Sequence, residues 1–230
     1  MASTLHYHPL SSCCHKVLVA LYELQVPFEP QLVNLGDPAG REAFLALSPM
    51  GKMPLLVDGD AVVPETSIII EHLQQQRRAG PRLLPADPAQ ALEVRLWDRL
   101  LDFYVMTPMQ AVVGDRLRPP PQRDAPGVEG SIRTLRLAYD RIDRHMDQRT
   151  WLAGGDFSMA DCAAAPALFY ASTLAPFGAG QGHLAGYFQR LLQRPSVARV
   201  LDEARPYFHL YPFHDALPAR FRDEASRTVE

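Results

Sequence analysis

The chain has 230 residues, enough for one large domain or two smaller ones. Hydrophobic residues make up 47% and charged residues 21%, a composition that supports a packed core and excludes an intrinsically disordered chain. Lysine and arginine together number 23 against 26 aspartates and glutamates, a net charge of -3. This balance argues against a dedicated nucleic-acid-binding protein, which would be expected to carry a basic face.

The cysteines and the most apolar stretch of the chain favour a reducing location away from membranes. Two of the three cysteines are adjacent, which is not the pattern of a disulfide framework: Cys13, Cys14 and Cys162. The most apolar stretch, residues 159–177, contains Asp161 and two prolines, so it predicts a buried helix rather than a membrane span. No signal-peptide pattern opens the chain. We therefore expect a cytoplasmic protein that does not enter a membrane.

The first 80 residues predict the element order β-α-β-α-β-β-α. Strand-like patterns occupy residues 4–8, 28–35, 55–57 and 61–63, and the last two form a hairpin around Asp58-Gly59-Asp60. Apolar residues at helical spacing follow residue 12 as far as Val26-Pro27, and they recur over 41–47 and 68–76. This order is that of a thioredoxin-like α/β domain, which we assign to residues 1–80.

A change in composition separates this unit from the rest of the chain. Residues 81–89 are rich in proline, arginine and aspartate, which is typical of a linker. Apolar residues recur at helical spacing beyond it, so residues 90–230 are predicted to form an all-α domain. The first helix of this domain carries two adjoining apolar stripes, which predict burial on most sides: Leu92, Leu96, Leu100 and Phe103, and Trp97, Leu101 and Tyr104.

A capping pattern marks the start of a later helix. Ser158 and Asp161 have the spacing of a capping box, with aspartate in the position usually held by glutamate or glutamine. Phe157 before the cap and Cys162 after it can form a hydrophobic staple. We interpret this motif as structural, because it fixes the start of a helix that the apolar sequence predicts to be buried.

Two short segments predict a ligand-binding socket, which we define as residues 53–54 together with 65–67. Pro54 lacks an N–H group and should mark the start of a strand, and a cis Met53–Pro54 bond would turn the main chain of Met53 outward. Thr66 or Ser67 begins a helix whose first N–H groups favour an anion, with the acid Glu65 beside them. The socket suits an extended peptide with a free carboxylate and ammonium. An ordinary turn, N-cap and solvated acid are the alternative interpretation.

These segments, taken in order, resemble the cytosolic glutathione transferase family over essentially the whole chain. The resemblance is carried by residues 11–17, 48–54, 65–66 and 154–161, and the opening His8-Pro9-Leu10-Ser11-Ser12 is similar to that of bacterial members. Some features are similar to the zeta and theta classes. The resemblance implies glutathione as a substrate with no permanently bound cofactor and no metal, a small hydrophobic electrophile as the second substrate, and a homodimer.

The resemblance also assigns residues to the glutathione site. Glu65 and Thr66 would hold the γ-glutamyl end, and Met53 would pair with the glutathione main chain beside a cis Pro54. Lys52 and Arg41 would reach carboxylates of the ligand, although an exposed helix-surface role is the simpler interpretation of Arg41. The apolar half of the site is expected from six residues that sequence alone does not distinguish from core: Leu10, Tyr104, Met106, Met109, Phe169 and Tyr170.

The activating group of the resemblance falls at Ser11. A thiol with a pKa of ~8.5 is only a few per cent ionised at neutral pH, and the thiolate is the nucleophile. A hydroxyl donor at a helix N-terminus stabilises the anion by a charge-assisted bond and by the helix dipole. Three alternatives remain: Ser12 as the donor, Cys13 in a glutathione-dependent isomerase or thiol-disulfide enzyme, or a non-enzymatic binding module with this fold.

Overall fold

The computed structural model describes residues 3–77 and 80–222. Its N-terminal part has the predicted order of elements, with boundaries that differ by a few residues: β1 Ser3–Tyr7, α1 Ser12–Leu24, β2 Phe28–Leu32, α2 Pro38–Leu47, β3 Leu55–Asp58, β4 Ala61–Val63 and α3 Thr66–Gln75. Helix α2 begins three residues earlier than predicted because Asp37 caps it, accepting from the Gly40 N–H at 2.7 Å, and Pro38 occupies its first position. The thioredoxin-like prediction is confirmed.

The four strands form one mixed sheet in the order β2-β1-β3-β4. Strand β1 runs parallel to β2 and antiparallel to β3, and β3 and β4 form the predicted hairpin. Leu5 of β1 and Leu56 of β3 are paired in register and fully buried against α1 and α3. Pro30 lies in β2, which is an edge strand of the sheet. Proline is tolerated there because it has no N–H group to donate to a second neighbouring strand.

The segment predicted as a linker is packed against both parts of the chain. The Gln74 side chain accepts from the N–H groups of Leu83 and Leu84 at 2.7 and 2.8 Å and donates to the Leu84 carbonyl at 3.0 Å. Both leucines are buried, and the Leu83 carbonyl accepts from the Met159 N–H at 2.9 Å. Residues 83–84 therefore form part of the core.

Helices make up most of the second part, as predicted, which confirms the all-α prediction: α4 Pro88–Leu101, α5 Thr107–Leu117, α6 Ala125–His145, α7 Met159–Leu174, α8 Gly182–Gln193 and α9 Pro195–Ala204. A π-helical turn over Asp102–Met106 joins α4 to α5 without a break. Helix α7 is the centre of this part, since residues 159–171 are all buried. Among the described residues, no helix is both long and apolar enough to cross a membrane.

Burial of α4 on most sides was predicted wrongly. Trp97 and Leu101 are buried, but Leu92 is 67% exposed, and Leu96, Phe103 and Tyr104 are exposed as well. One face of α4 packs against α7, whereas Leu92 and Leu96 are exposed on its outer side. The spacing of apolar residues shows that a helix has an apolar face. It does not show whether that face packs in the core or is exposed as an interface with another molecule.

The predicted capping contact at the start of α7 is present and extends further than the motif implies. The carboxylate of Asp161, which is fully buried, accepts from the Ser158 N–H at 2.8 Å and from the Ser158 hydroxyl at 2.9 Å. Its other oxygen accepts from the Leu152 N–H at 3.1 Å and from the Tyr187 hydroxyl at 2.7 Å. Asp161 thus joins the loop before α7 to α8.

Candidate functional site

Ser11 lies at the N-cap of α1, in extended backbone conformation with φ −74° and ψ 119°. Its hydroxyl oxygen is 3.4 Å from the Cys14 N–H, and its carbonyl accepts from the His15 N–H at 3.0 Å. The N–H groups of Ser12 and Cys13 lie in the first turn, where an α-helix offers them no carbonyl partner. A partly exposed hydroxyl therefore stands beside the positive end of a helix dipole, an arrangement that favours a bound anion.

The other two candidates for activating the thiol lie in the same turn. Ser12 is buried and Cys13 is partly buried, and the Gln110 amide nitrogen lies 3.4 Å from the Ser12 hydroxyl and 3.3 Å from the Cys13 sulfur. Burial raises the pKa of the Cys13 thiol, although the contact with Gln110 acts in the opposite direction. Burial also raises the pKa of Cys14 to about 12. These environments favour neutral thiols over nucleophilic thiolates.

Three side chains hold the loop that precedes α1. The His15 ring donates from Nε2 to the Pro9 carbonyl, and the Tyr170 hydroxyl donates to the Leu10 carbonyl at 2.9 Å. His8 accepts from the Leu10 N–H at 3.1 Å. Burial lowers the pKa of His15 to about 4, so the ring is neutral at pH 7. Hydrogen bonds from His15 of α1 and Tyr170 of α7 therefore fix the main chain directly before Ser11.

The socket has the backbone geometry that sequence reasoning anticipated. The Met53–Pro54 peptide bond is cis, Pro54 is buried, and Met53 lies beyond the last paired residues of β1 and β3, His6 and Leu55. Glu65 is exposed at the N-cap of α3 with φ 69° and ψ 122°, a left-handed value that is uncommon for residues other than glycine. Such strained backbone is often found at ligand sites.

The other residues predicted for the glutathione site lie in the socket or on the exposed surface of the N-terminal part. Thr66 is partly buried in the first turn of α3, where its N–H group has no helical carbonyl to donate to. Lys52 is exposed just before Met53, and Arg41 is exposed on α2. Among the described residues, no group of three or more histidine, cysteine, aspartate or glutamate side chains is placed to hold a metal ion.

A buried ion pair lies directly behind the socket, and sequence reasoning missed it. Lys16 is 1% exposed, and its ammonium is 2.6 Å from Asp98 Oδ1 and 3.1 Å from Asp102 Oδ2. It also donates to the Ser67 hydroxyl at 3.0 Å, and Ser67 donates to Asp98 Oδ2 at 2.6 Å. The signal in the sequence was a lysine in the first half of α1 that directly precedes the apolar run of residues 17–21.

The six residues expected to contact a hydrophobic substrate do not lie together. Leu10 is partly buried beside Ser11, and Tyr104 is 53% exposed on a separate cavity of about 360 Å³ lined by α4, the π-helical turn and α6. Met106, Met109 and Phe169 are buried, so they offer a substrate no surface, which corrects their assignment on physical grounds. Phe169 packs against the rings of Phe208 and Phe221.

Tyr170 is also buried, and its hydroxyl reaches the main chain next to Ser11. Its ring packs against His15 and Tyr211. Its hydroxyl donates a hydrogen bond to the Leu10 carbonyl. Sequence alone could not identify this hydrogen bond, because it joins residues 160 positions apart.

Comparison with known proteins identifies the family. Residues 5–82 match the glutathione S-transferase N-terminal domain, and residues 101–195 match the glutathione S-transferase C-terminal domain. The chain is 27% identical to glutathione S-transferase GstB of Escherichia coli over 81% of its own length and 91% of that protein. It is 30% identical to glutathione S-transferase 3 of Zea mays, over 86% of this chain and 92% of the maize protein.

A solved structure agrees with these relatives. A glutathione S-transferase from Methylobacillus flagellatus, crystallised with glutathione bound, superposes with a TM-score of 0.79 at 25% identity. The match covers 86% of this chain and 98% of the other. Matches to both domains, together with a relative at 30% identity over most of its length, are sufficient to assign the family. The chain therefore belongs to the glutathione S-transferase family of enzymes.

Proposed function

We propose that the protein conjugates glutathione to small hydrophobic electrophiles and that Ser11 stabilises the glutathione thiolate. The observation that carries this proposal is the position of Ser11, a partly exposed hydroxyl at the N-cap of α1 beside free N–H groups. Lowering the pKa of a thiol by two units requires about 2.7 kcal/mol. One hydrogen bond to a charged group supplies ~1.5–3 kcal/mol. One hydroxyl with help from the helix dipole is therefore sufficient.

The rest of the tripeptide is assigned to the socket. The γ-glutamyl carboxylate would accept from the first N–H groups of α3 at Thr66 and Ser67, and the ammonium would pair with Glu65. The main chain of Met53 would pair with the cysteinyl residue, since it lies outside the sheet register. Lys52 and Arg41 are exposed cations that supply long-range attraction for the glycyl carboxylate. The similar protein from Methylobacillus flagellatus was crystallised with glutathione bound, which supports glutathione as the ligand. Because glutathione is a cytosolic thiol, a cytoplasmic location is part of the proposal.

We expect Ser11→Ala to lower kcat/KM for a chloronitroaromatic electrophile by about 10-fold at pH 6.5. If the bound thiol returns from a pKa of about 6.5 to about 8.5, its ionised fraction falls by about 50-fold at that pH, and the greater nucleophilicity of the more basic thiolate restores part of the loss. The difference should narrow as the pH approaches 9, where both enzymes hold mostly thiolate. Steady-state rates across pH 6–9 measure this dependence.

Cys13→Ala is the matched control for the same measurement. The raised pKa of Cys13 argues that its thiol is not the nucleophile, so its removal should leave kcat/KM within about 3-fold. Loss of activity in Cys13→Ala with full activity in Ser11→Ala would instead indicate an isomerase or a thiol-disulfide enzyme. Absence of any heat of binding with millimolar glutathione would favour the non-enzymatic module.

We also propose that the protein forms a homodimer through an outer stripe of α4 and the π-helical turn, which we define as Leu92, Leu96, Phe103 and Tyr104. These side chains are exposed in the single chain, and contiguous apolar surface of this kind marks protein interfaces. We expect wild-type protein to sediment at twice the 25.7 kDa mass of the chain and Leu96→Glu to sediment as a monomer. Leu210→Glu, a change at another exposed leucine, is the control and should leave the mass unchanged.

A further inference from the structure

Gln110, on α5, contacts the turn that holds the three candidate activating residues. Its amide nitrogen is 3.4 Å from the hydroxyl of Ser12 and 3.3 Å from the sulfur of Cys13. The first distance is long for an N–H···O bond, whose usual range is 2.7–3.2 Å, and a thiol is a weak acceptor. The amide thus shares its N–H groups between two weak neutral partners.

Within residues 3–77 and 80–222, the Gln110 side chain forms no hydrogen bond besides these two. It is exposed, and it borders a cavity of about 410 Å³ that is also lined by Ala111, Gly114 and Asp115. Side chains that serve only to support a fold are usually buried and tightly packed. An exposed carboxamide with weak partners is able to exchange them for a stronger, charged acceptor.

We propose, on the basis of the function proposed above, that Gln110 donates a hydrogen bond to the electrophile, at the oxygen where negative charge develops. A thiolate held at Ser11 faces an electrophile that enters from the side of the helical domain, and Gln110 reaches the first turn of α1 from that side. The proposal makes electrophiles with a carbonyl or nitro oxygen conjugated to the reacting carbon the favoured second substrates.

The chemistry of an enone shows where this donor acts. The sulfur lone pair forms the C–S bond at the β carbon, the C=C π electrons move to the adjacent bond, and the carbonyl π electrons move to its oxygen. The enolate oxygen then carries the charge and accepts the hydrogen bond from the Gln110 amide. A proton from water, matching the one that the thiol lost, completes the adduct. A donor aimed at developing charge is worth about 10²–10³ in rate where the site excludes water.

Alkyl halides provide the discriminating comparison. The thiolate displaces halide directly from carbon, and no oxygen gains charge, so the amide of Gln110 has nothing to stabilise. Gln110→Met keeps the length of the side chain and removes both N–H groups. We expect the ratio of kcat/KM for an enone to kcat/KM for benzyl chloride to fall by at least 10-fold in Gln110→Met. Gln110→Glu, which replaces the donor by a negative acceptor, should lower the ratio at least as far.

Gln122→Met is the control, because Gln122 is exposed on the loop between α5 and α6 and contacts neither Ser12 nor Cys13. It should keep the wild-type ratio. Equal losses with both electrophiles, or an unchanged ratio in Gln110→Met, would overturn the assignment of Gln110 while leaving the proposed transferase function intact. Wild-type protein that turns over neither electrophile would overturn both proposals.

Discussion

Lys16→Met should lower the free energy of unfolding by about 3–5 kcal/mol, because it removes the ammonium that lies 2.6 Å from the buried carboxylate of Asp98 and leaves that carboxylate only a long contact with the exposed Arg99, at 3.5 Å. Asp98 is 1% exposed, and water cannot replace the lost ammonium. Ser67 would keep one hydrogen bond to Asp98, which is too little to offset the charge. Urea unfolding followed by circular dichroism measures the loss.

An exposed ion pair provides the comparison. Arg95 and Glu71 form two parallel hydrogen bonds, both at 2.8 Å, on the surface. Because solvent screens such pairs, Arg95→Met should cost no more than about 1 kcal/mol. Equal losses for Lys16→Met and Arg95→Met would contradict the prediction. Lys16→Met/Asp98→Leu should regain stability relative to Lys16→Met, since a buried pair can often be replaced by apolar residues of similar volume.

The buried pair also bears on ligand binding. Ser67, which Lys16 and Asp98 both contact, lies in the first turn of α3 directly after Thr66. Its N–H group is one of those proposed to receive the γ-glutamyl carboxylate. The pair therefore couples the position of the socket to α1 and α4, and its loss should weaken glutathione binding as well as stability.

Asp161→Ala should lower the free energy of unfolding by at least about 4 kcal/mol. The substitution removes the acceptor for the Leu152 N–H, the Ser158 N–H and the Tyr187 hydroxyl, and each buried donor left without a partner costs about 1–3 kcal/mol. These groups belong to the loop before α7, to the N-cap of α7 and to α8. The substitution therefore removes hydrogen bonds from three segments. Chemical denaturation measures the change.

Two further variants separate the parts of this site. Asp156→Ala removes a carboxylate that is exposed five residues earlier, and it should change stability by less than about 0.5 kcal/mol. Ser158→Ala removes only the capping hydroxyl and should cost about 1 kcal/mol. If Asp161→Ala costs no more than Ser158→Ala, then the carboxylate does not act as the shared acceptor described here.

Local patterns predicted most of the architecture. A strand-like pattern marked β1, the apolar run Leu55-Leu56-Val57 after Pro54 marked β3, and the spacing of Ser158 and Asp161 marked the start of α7. Each of these signals depends on residues a few positions apart, for which backbone geometry and hydrogen bonding follow directly from residue type. The start of α3 at Thr66 follows from the same kind of local signal.

Contacts between distant segments were not predictable in this way. The partners of Lys16 lie 51 and more residues away, and Tyr170 contacts Leu10 across 160 positions. Gln110 had no distinguishing pattern, because an exposed glutamine on a helix is ordinary until the fold brings it to Cys13. Hydrophobicity alone also misassigned Met106 and Phe169, since a residue that packs the core and one that lines a cleft are equally apolar.

The way Gln74 holds residues 83–84 has a consequence for cooperativity. Cleavage of the chain between Gln74 and Leu83 would separate these contacts. It would expose the two buried leucines, Leu83 and Leu84, and leave the side-chain amide of Gln74 without their main-chain groups as partners. Neither fragment would be an autonomous folding unit, although each has its own element pattern. The α/β part and the helical part are therefore expected to melt together in a single transition.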